Sequence, residues 1–214
     1  SISYEAAADA DTICNLTNHT YFNLAGYASG PVLAQKIQLF ADAWTEADEE
    51  SLPNGRIVPV EGTPMDLREP TPIGAHIDDD FDQLRWAGGC DHNWVIRDVP
   101  CDYEAMPGSF GYDPSCPIDY VDGGLKKMAY AESDVTGITL TAYTTQPGVQ
   151  FYAGNYLDGQ PLGKDGTAFG RRSGFCLEAQ YFPNALEHPA FAQPLLKKGD
   201  IWRAQTVYVL GHKR

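Results

Sequence analysis

The chain has 214 residues, which fits one large domain or at most two small ones, and it carries a net charge of −14. So acidic a balance argues against a nucleic-acid backbone or an anionic membrane surface as the main partner, because both attract clustered positive charge. Hydrophobic residues make up 43% of the chain, and 21 glycines and 15 prolines favour turns over long helices. The composition therefore predicts a globular protein built from short elements.

The five cysteines form no Cys-x-x-Cys pair, and their number is odd. A secreted disulfide framework is therefore not expected, and reduced thiols are. No signal peptide is recognisable, and no apolar run is long enough to span a bilayer. These features predict a cytoplasmic protein without a membrane partner.

Short alternating or β-branched runs predict seven strands. The predicted strands are residues 1–5, 36–40, 93–99, 137–144, 149–155, 175–182 and 204–210. Turns are predicted at residues 26–31, 52–55, 70–74, 107–117 and 159–166, a short helical turn within 182–191, and a long loop or ordered excursion over 101–124. No stretch has the composition of a linker. This spacing predicts a single all-β domain, a sandwich or a barrel.

Three familiar ligand motifs are absent. The stretch around Gly163 and Lys164 is one residue too short for a phosphate loop and has an aspartate in place of the hydroxyl residue. The acidic run at residues 78–82 lacks the glycine and glutamate of a calcium loop, so a solvated acidic loop is expected. Cys90 and His92 have no second ligand pair for zinc. Neither a metal nor a cofactor is expected.

Residues 15–26, NLTNHTYFNLAG, form the densest polar and aromatic group. Two amides, His19 and Tyr21 within seven residues are unusual for a plain core strand. The side chains would serve equally well to satisfy backbone groups of a loop, with His19 as a structural residue. The residues alone leave both interpretations open.

Two further groups place polar side chains beside turns. In GGCDHNW, at residues 88–94, the glycines allow the backbone and Asp91 to approach a ligand, although a tight turn before a strand explains them as well. In residues 143–159, a Pro-Gly turn precedes a strand that carries Gln150, which an ordinary hairpin also explains.

The fourth group is FCLEAQYF, at residues 175–182. Strand alternation puts Phe175 and Leu177 on one face and Cys176 and Glu178 on the other. A glutamate in so aromatic a strand lies either on a solvated face or in a polar cleft.

Taken in order, these groups resemble the galactose mutarotase (aldose 1-epimerase) family over essentially the whole chain. The family blocks NxTNHxYFNLxG, LxPTGEIxPVxGTPxDFR, GxDHN, TTEPGxQFYTGNxLDG and SGFCLExQxFPDAxN correspond to residues 15–26, 52–68, 89–93, 144–159 and 173–187. The resemblance implies a large antiparallel β-sandwich that interconverts the anomers of aldohexoses such as glucose and galactose without a cofactor.

The resemblance also implies roles for five residues. His19 matches the proton-donating histidine and Glu178 the general base, while Asp91 and Gln150 match contacts to sugar hydroxyls and Tyr21 a residue beside the bound sugar. Because one hexose must touch both acid and base, His19 and Glu178 are expected to face each other across a cleft about one sugar ring wide. Substitutions such as Gln146 for glutamate fall outside these five positions.

The family's N-terminal part, with an Asn-Arg pair and a His-Gly-Gly stretch at the sugar site, has no counterpart here. The chain, residues 1–214, therefore resembles the C-terminal portion of the family sandwich, and the N-terminal portion is an expected partner. Residues 1–5 are then expected to form a strand, and the isolated chain to be poorly soluble and nearly inactive. Two alternatives remain: a non-catalytic sugar-binding module on the same fold, and a glycoside hydrolase using Asp91 and Glu178 as its two carboxylates.

Overall fold

A computed structural model describes residues 1–98 and 124–213, and the structural statements below concern those residues. The strands in chain order are β1 (Ile2–Ala7), β2 (Thr12–Ile13), β3 (Lys36–Leu39), β4 (Ala41–Ala47), β5 (Pro53–Pro59), β6 (Thr71–Pro72), β7 (Asp91–Ile96), β8 (Lys126–Glu132), β9 (Ile138–Thr144), β10 (Gly148–Tyr152), β11 (Cys176–Gln180), β12 (Leu195–Leu196) and β13 (Ile201–His212). One short helix, α1 (Asp82–Ala87), precedes β7, and single 3-10 turns occupy Lys164–Gly166 and Ala185–Glu187.

Two antiparallel sheets make up most of the fold. The first has six strands in the order β1-β13-β9-β8-β3-β6, and the second has five in the order β11-β10-β7-β4-β5. A small third sheet pairs β12 with β2. The described part of the chain is thus an all-β sandwich, as the sequence predicted.

The main core lies between the two large sheets. Alternate residues of each strand point into it, so that Ile37 and Leu140 from the first sheet join Trp94 and Phe151 from the second, all at most 1% exposed. Burial of such side chains contributes roughly 25 cal/mol for each Å² of apolar surface removed from water. The same alternation leaves the opposite face of the second sheet free to carry polar groups.

The predicted strands are found, with shifted ends. Residues 2–5 of the predicted strand 1–5 lie in β1, an edge strand that pairs only with β13 among the described residues, and the helical turn expected within 182–191 is the 3-10 turn Ala185–Glu187. The last predicted position of strand 93–99, the loop proposed for 101–124 and the turn at 107–117 lie wholly or largely outside the described residues.

Some elements differ from the predictions. Strands β4 and β8 were not predicted. The turn predicted at 52–55 lies largely within β5, because Ser51 adopts the left-handed conformation and completes the reversal earlier. The acidic run at 78–82 does not remain wholly a loop, since Asp82 begins α1.

Candidate active site

Three neighbouring strands supply the polar face of the second sheet. In the pairing register, Gln150 of β10 lies opposite Glu178 of β11 on one side and Asn93 of β7 on the other, and Tyr152 lies opposite Asp91 and Cys176. Because side chains alternate along a strand, these residues share the face that points away from the core. Asp91, Gln150 and Glu178, which come from distant parts of the sequence, are therefore brought side by side.

His19 reaches this face from a segment that runs along the edge of β11. The segment is tied at one end by Asn15, whose side chain accepts from Tyr181 N at 2.8 Å and donates to Tyr181 O at 3.2 Å. At the other end, Phe22 exchanges two backbone hydrogen bonds with Phe175. The two ties flank β11, so the residues between them lie beside its polar side chains.

The imidazole of His19 contacts two side chains of β11. Its Nε2 lies 3.4 Å from Oε1 of Glu178, and its Nδ1 lies 3.4 Å from Sγ of Cys176. The expectation of a gap one sugar ring wide between His19 and Glu178 was therefore wrong. A carboxylate removed from water is stabilised by the nearest available donor, and the His19 ring lies against it.

Glu178 is buried, with 8% of its surface exposed, whereas the side chain of His19 is about half exposed. Burial raises the pKa of the Glu178 carboxyl, because a low-dielectric environment disfavours its charge; the charge of Asp91 raises it further, while His19 opposes both. Such an environment makes a carboxylate more basic than a solvated one.

Asp91 and Gln150 form a hydrogen-bonded pair next to Glu178. The amide of Gln150 donates to Oδ1 of Asp91 at 2.8 Å, and burial raises the pKa of Asp91 although this bond and His19 lower it. The other amide atom, Oε1 of Gln150, is buried without a hydrogen-bond partner in the structure. Gln150 Oε1 is therefore an unused hydrogen-bond acceptor on the strand face that also carries Asp91.

Aromatic rings border the site. The ring centroids of Tyr21 and Tyr152 lie 5.2 Å and 6.2 Å from that of His19, and 6.1 Å from each other. Tyr152 is held because its hydroxyl accepts a hydrogen bond from Tyr156 N at 3.0 Å. These rings provide apolar surface suited to the C–H face of a sugar.

Side chains from distant parts of the chain hold the turn before Asp91. Arg172, 5% exposed, pairs through both terminal nitrogens with Asp78 and also donates to Gly88 O, while Asn155 donates to the carbonyl of Cys90. Gly89 has a φ of +136°, and an added Cβ there would lie 2.4 Å from Oδ1 of Asn155. The position of Asp91 therefore depends on side chains remote from it in sequence.

His92 belongs to the core rather than to the site. It is 4% exposed, its ring packs edge-on against Trp44 and Trp94, and burial lowers its pKa to about 4. Its Nδ1 accepts from Asp91 N at 3.3 Å. Cys90 and His92 are consequently structural neighbours of Asp91.

Two site residues were not assigned a role from the sequence, Tyr152 and Cys176. Each lies two positions from a residue that was assigned, Tyr152 after Gln150 and Cys176 before Glu178, so the two-residue period of a strand was the available signal.

The ligand atoms of His19, Cys176 and Glu178 all lie within 4.8 Å of one another, the one group of three potential metal ligands found among the described residues.

Sequence and structure comparisons give one family. The model of the aldose 1-epimerase family matches residues 1–209. The chain is 38% identical over 208 residues to a galactose mutarotase of Sus scrofa, covering 97% of this chain and 53% of that protein, and 30% identical over 210 residues to an aldose 1-epimerase of Escherichia coli, covering 97% and 54%.

Solved structures agree on the fold. A galactose 1-epimerase from Lactobacillus acidophilus superposes with a TM-score of 0.72 at 25% identity, covering 99% of this chain and 53% of that one. An aldose epimerase homologue from C. elegans gives 0.73 at 23% identity, covering 99% and 55%. The chain belongs to the aldose 1-epimerase family, and it spans about half the length of the curated relatives it matches.

Proposed function

We propose that this chain carries the acid–base part of an aldose 1-epimerase site, which interconverts the α and β anomers of aldohexoses such as glucose and galactose. The contact between His19 and Glu178, beside the Asp91–Gln150 pair, is the observation that carries the proposal. A base and an acid within reach of each other are what opening and closing a hemiacetal ring requires.

In the proposed reaction, Glu178 removes the proton from the C1 hydroxyl while His19 protonates the ring oxygen. The C1 carbonyl of the open sugar then rotates, and closure on its other face regenerates both groups. The burial that raises the pKa of Glu178 also makes it a stronger base. Assistance of this kind is worth about 10²- to 10⁴-fold for each group.

The remaining site residues would position the sugar. Asp91 and Gln150 would bind ring hydroxyls through the polar atoms they present on the strand face, and Tyr21 would cover the apolar side of the ring. Since His19 and Glu178 are in contact, the sugar would enter by moving the half-exposed imidazole away from the carboxylate.

The proposal also covers the location of the substrate and the partners of the chain. Substrates would be free monosaccharides in the cytoplasm, without nucleic acid or a membrane as partner, and the remaining portion of a family sandwich would complete the site. Among the described residues, no helix is long and apolar enough to cross a membrane.

Polarimetry of freshly dissolved α-glucose and α-galactose tests the proposal. The rate above spontaneous mutarotation is measured for this chain and for a chimaera that joins it to the portion of the pig galactose mutarotase outside the matched region. The chimaera should be the more active of the two, and in it His19→Asn should abolish most of the catalysed rate, whereas replacement of the exposed His212 by asparagine should not. Sugar binding without any catalysed mutarotation in the chimaera would instead favour a carbohydrate-binding module.

A further inference from the structure

We propose that His19, Cys176 and Glu178 also form a binding site for a borderline-soft divalent cation such as Zn²⁺, which excludes the sugar from the same space. The three side chains offer one nitrogen, one sulfur and one oxygen, the donor set that zinc accepts in proteins. The ion would be an inhibitor and not a cofactor. Binding of the ion does not depend on the proposed function, whereas its competition with sugar rests on the proposed function.

The distances suit a small tetrahedral ion. Zinc bonds of about 2.0–2.3 Å at tetrahedral angles place ligand atoms about 3.4–3.6 Å apart. The contacts from His19 to Cys176 and to Glu178 are both 3.4 Å, and the widest separation in the group is below 4.8 Å. Those contacts use different ring nitrogens, so the imidazole must reorient until a single nitrogen faces both partners.

The charges around the site favour a cation. Burial raises the pKa of the Cys176 thiol, and the carboxylates of Glu178 and Asp91 raise it further, so the surroundings oppose a free thiolate. A bound dication reverses that effect, because coordination stabilises the thiolate directly. The thiol proton leaves to the solvent as the sulfur–metal bond forms, so binding at neutral pH should release about one proton.

The site also has an open side. Cys176 is fully buried and Glu178 nearly so, but the side chain of His19 is 52% exposed and belongs to a segment outside the large sheets. An ion can therefore approach on the His19 side and retain water in its fourth position, as zinc does where three protein ligands bind it. The same approach would admit the sugar.

Co²⁺ serves as the spectroscopic probe and Zn²⁺ as its competitor, both added to the chelator-treated full chain without sugar. The expected result is a cobalt–thiolate charge-transfer band in the near ultraviolet that Zn²⁺ abolishes, with stoichiometry near one. Calorimetry of Zn²⁺ binding in buffers of different ionisation enthalpy should show release of about one proton.

Variants locate the site. Cys176→Ser should remove the band and weaken Zn²⁺ binding about tenfold or more, since even the loss of an outer-shell partner costs 10- to 100-fold. Two controls should retain both the band and the Zn²⁺ affinity. They are Cys14→Ser, which alters another buried thiol, and the double variant Cys101→Ser/Cys116→Ser. Circular dichroism melts identify any variant that fails to fold. If Cys176→Ser fails to fold, His19→Gln is tested instead and should weaken Zn²⁺ binding in the same way.

An absent band, or one that Cys176→Ser leaves intact, would overturn the metal site. Inhibition is measured separately in the chimaera described above: Zn²⁺ should raise the KM of mutarotation when Cys176 is present and lose this effect in Cys176→Ser. Binding of Zn²⁺ without a change in KM would overturn the competition alone. A chimaera that binds Zn²⁺ but shows no catalysed mutarotation in chelator would contradict the proposed function and leave the metal site standing.

Discussion

Replacement of Glu178 by glutamine is the sharpest test of the proposed chemistry. The substitution keeps the shape of a side chain that is 8% exposed, but it removes the negative charge and the proton acceptor that face His19. Loss of a general base costs about 10²-fold or more in kcat, or about 2.7 kcal/mol in activation free energy at 1.36 kcal/mol per factor of ten. KM should change little, because the amide fills the same space and still forms hydrogen bonds.

The same substitution should not destabilise the fold. Because the pKa of Glu178 is raised in the folded protein, its charge disfavours folding; the penalty is absent below the unfolded pKa and grows as pH rises through the folded pKa. At pH 7 the neutral glutamine should therefore give a melting temperature at least equal to that of the unsubstituted chain. Activity and stability are thus expected to move independently.

Stopped-flow or conventional polarimetry of the chimaera with the pig mutarotase portion gives kcat and KM, and circular dichroism gives the melting curve. Glu187→Gln is the matched control, because Glu187 is an exposed glutamate in the 3-10 turn Ala185–Glu187, outside the strands that carry the polar face. A Glu178→Gln protein with kcat close to that of the unsubstituted one would remove Glu178 from the mechanism. A similar fall in Glu187→Gln would show that the loss does not report on the site.

The remaining predictions concern four other residues. Asp91→Asn should move the acidic limb of the kcat/KM profile to lower pH, since the charge of Asp91 raises the pKa of Glu178; an unmoved limb contradicts this coupling. Gln150→Ala should raise KM about threefold to tenfold through one lost hydrogen bond, and a change confined to kcat would argue against a binding role. Arg172→Gln should lower stability by about 1–3 kcal/mol in thermal melts, because the two hydrogen bonds from the buried Arg172 to Asp78 are lost, and an unchanged melt would refute a structural role for that pair. The pKa of His92 is lowered to about 4, so stability should be lost as pH falls from 6.5 toward 4; His92→Phe should reduce that loss, and an identical pH dependence would refute it.

The family and the fold class were accessible from the sequence because they depend on local patterns. Alternation along residues 175–182 separated Leu177, in the core, from Cys176 and Glu178, on the polar face, and the structure confirms that division. The period of a strand is a property of neighbouring residues, so no tertiary information is needed to read which side chains share a face.

The site itself depended on tertiary structure. Asp91, Gln150 and Glu178 become neighbours only through the order β11-β10-β7, which is set by sheet pairing across long stretches of chain. The contact of His19 with Glu178 arises from the ties at Asn15 and Phe22, which no local pattern records. Local sequence determines which face a side chain occupies, whereas burial, proximity and shifted pKa values arise only when distant strands pack together.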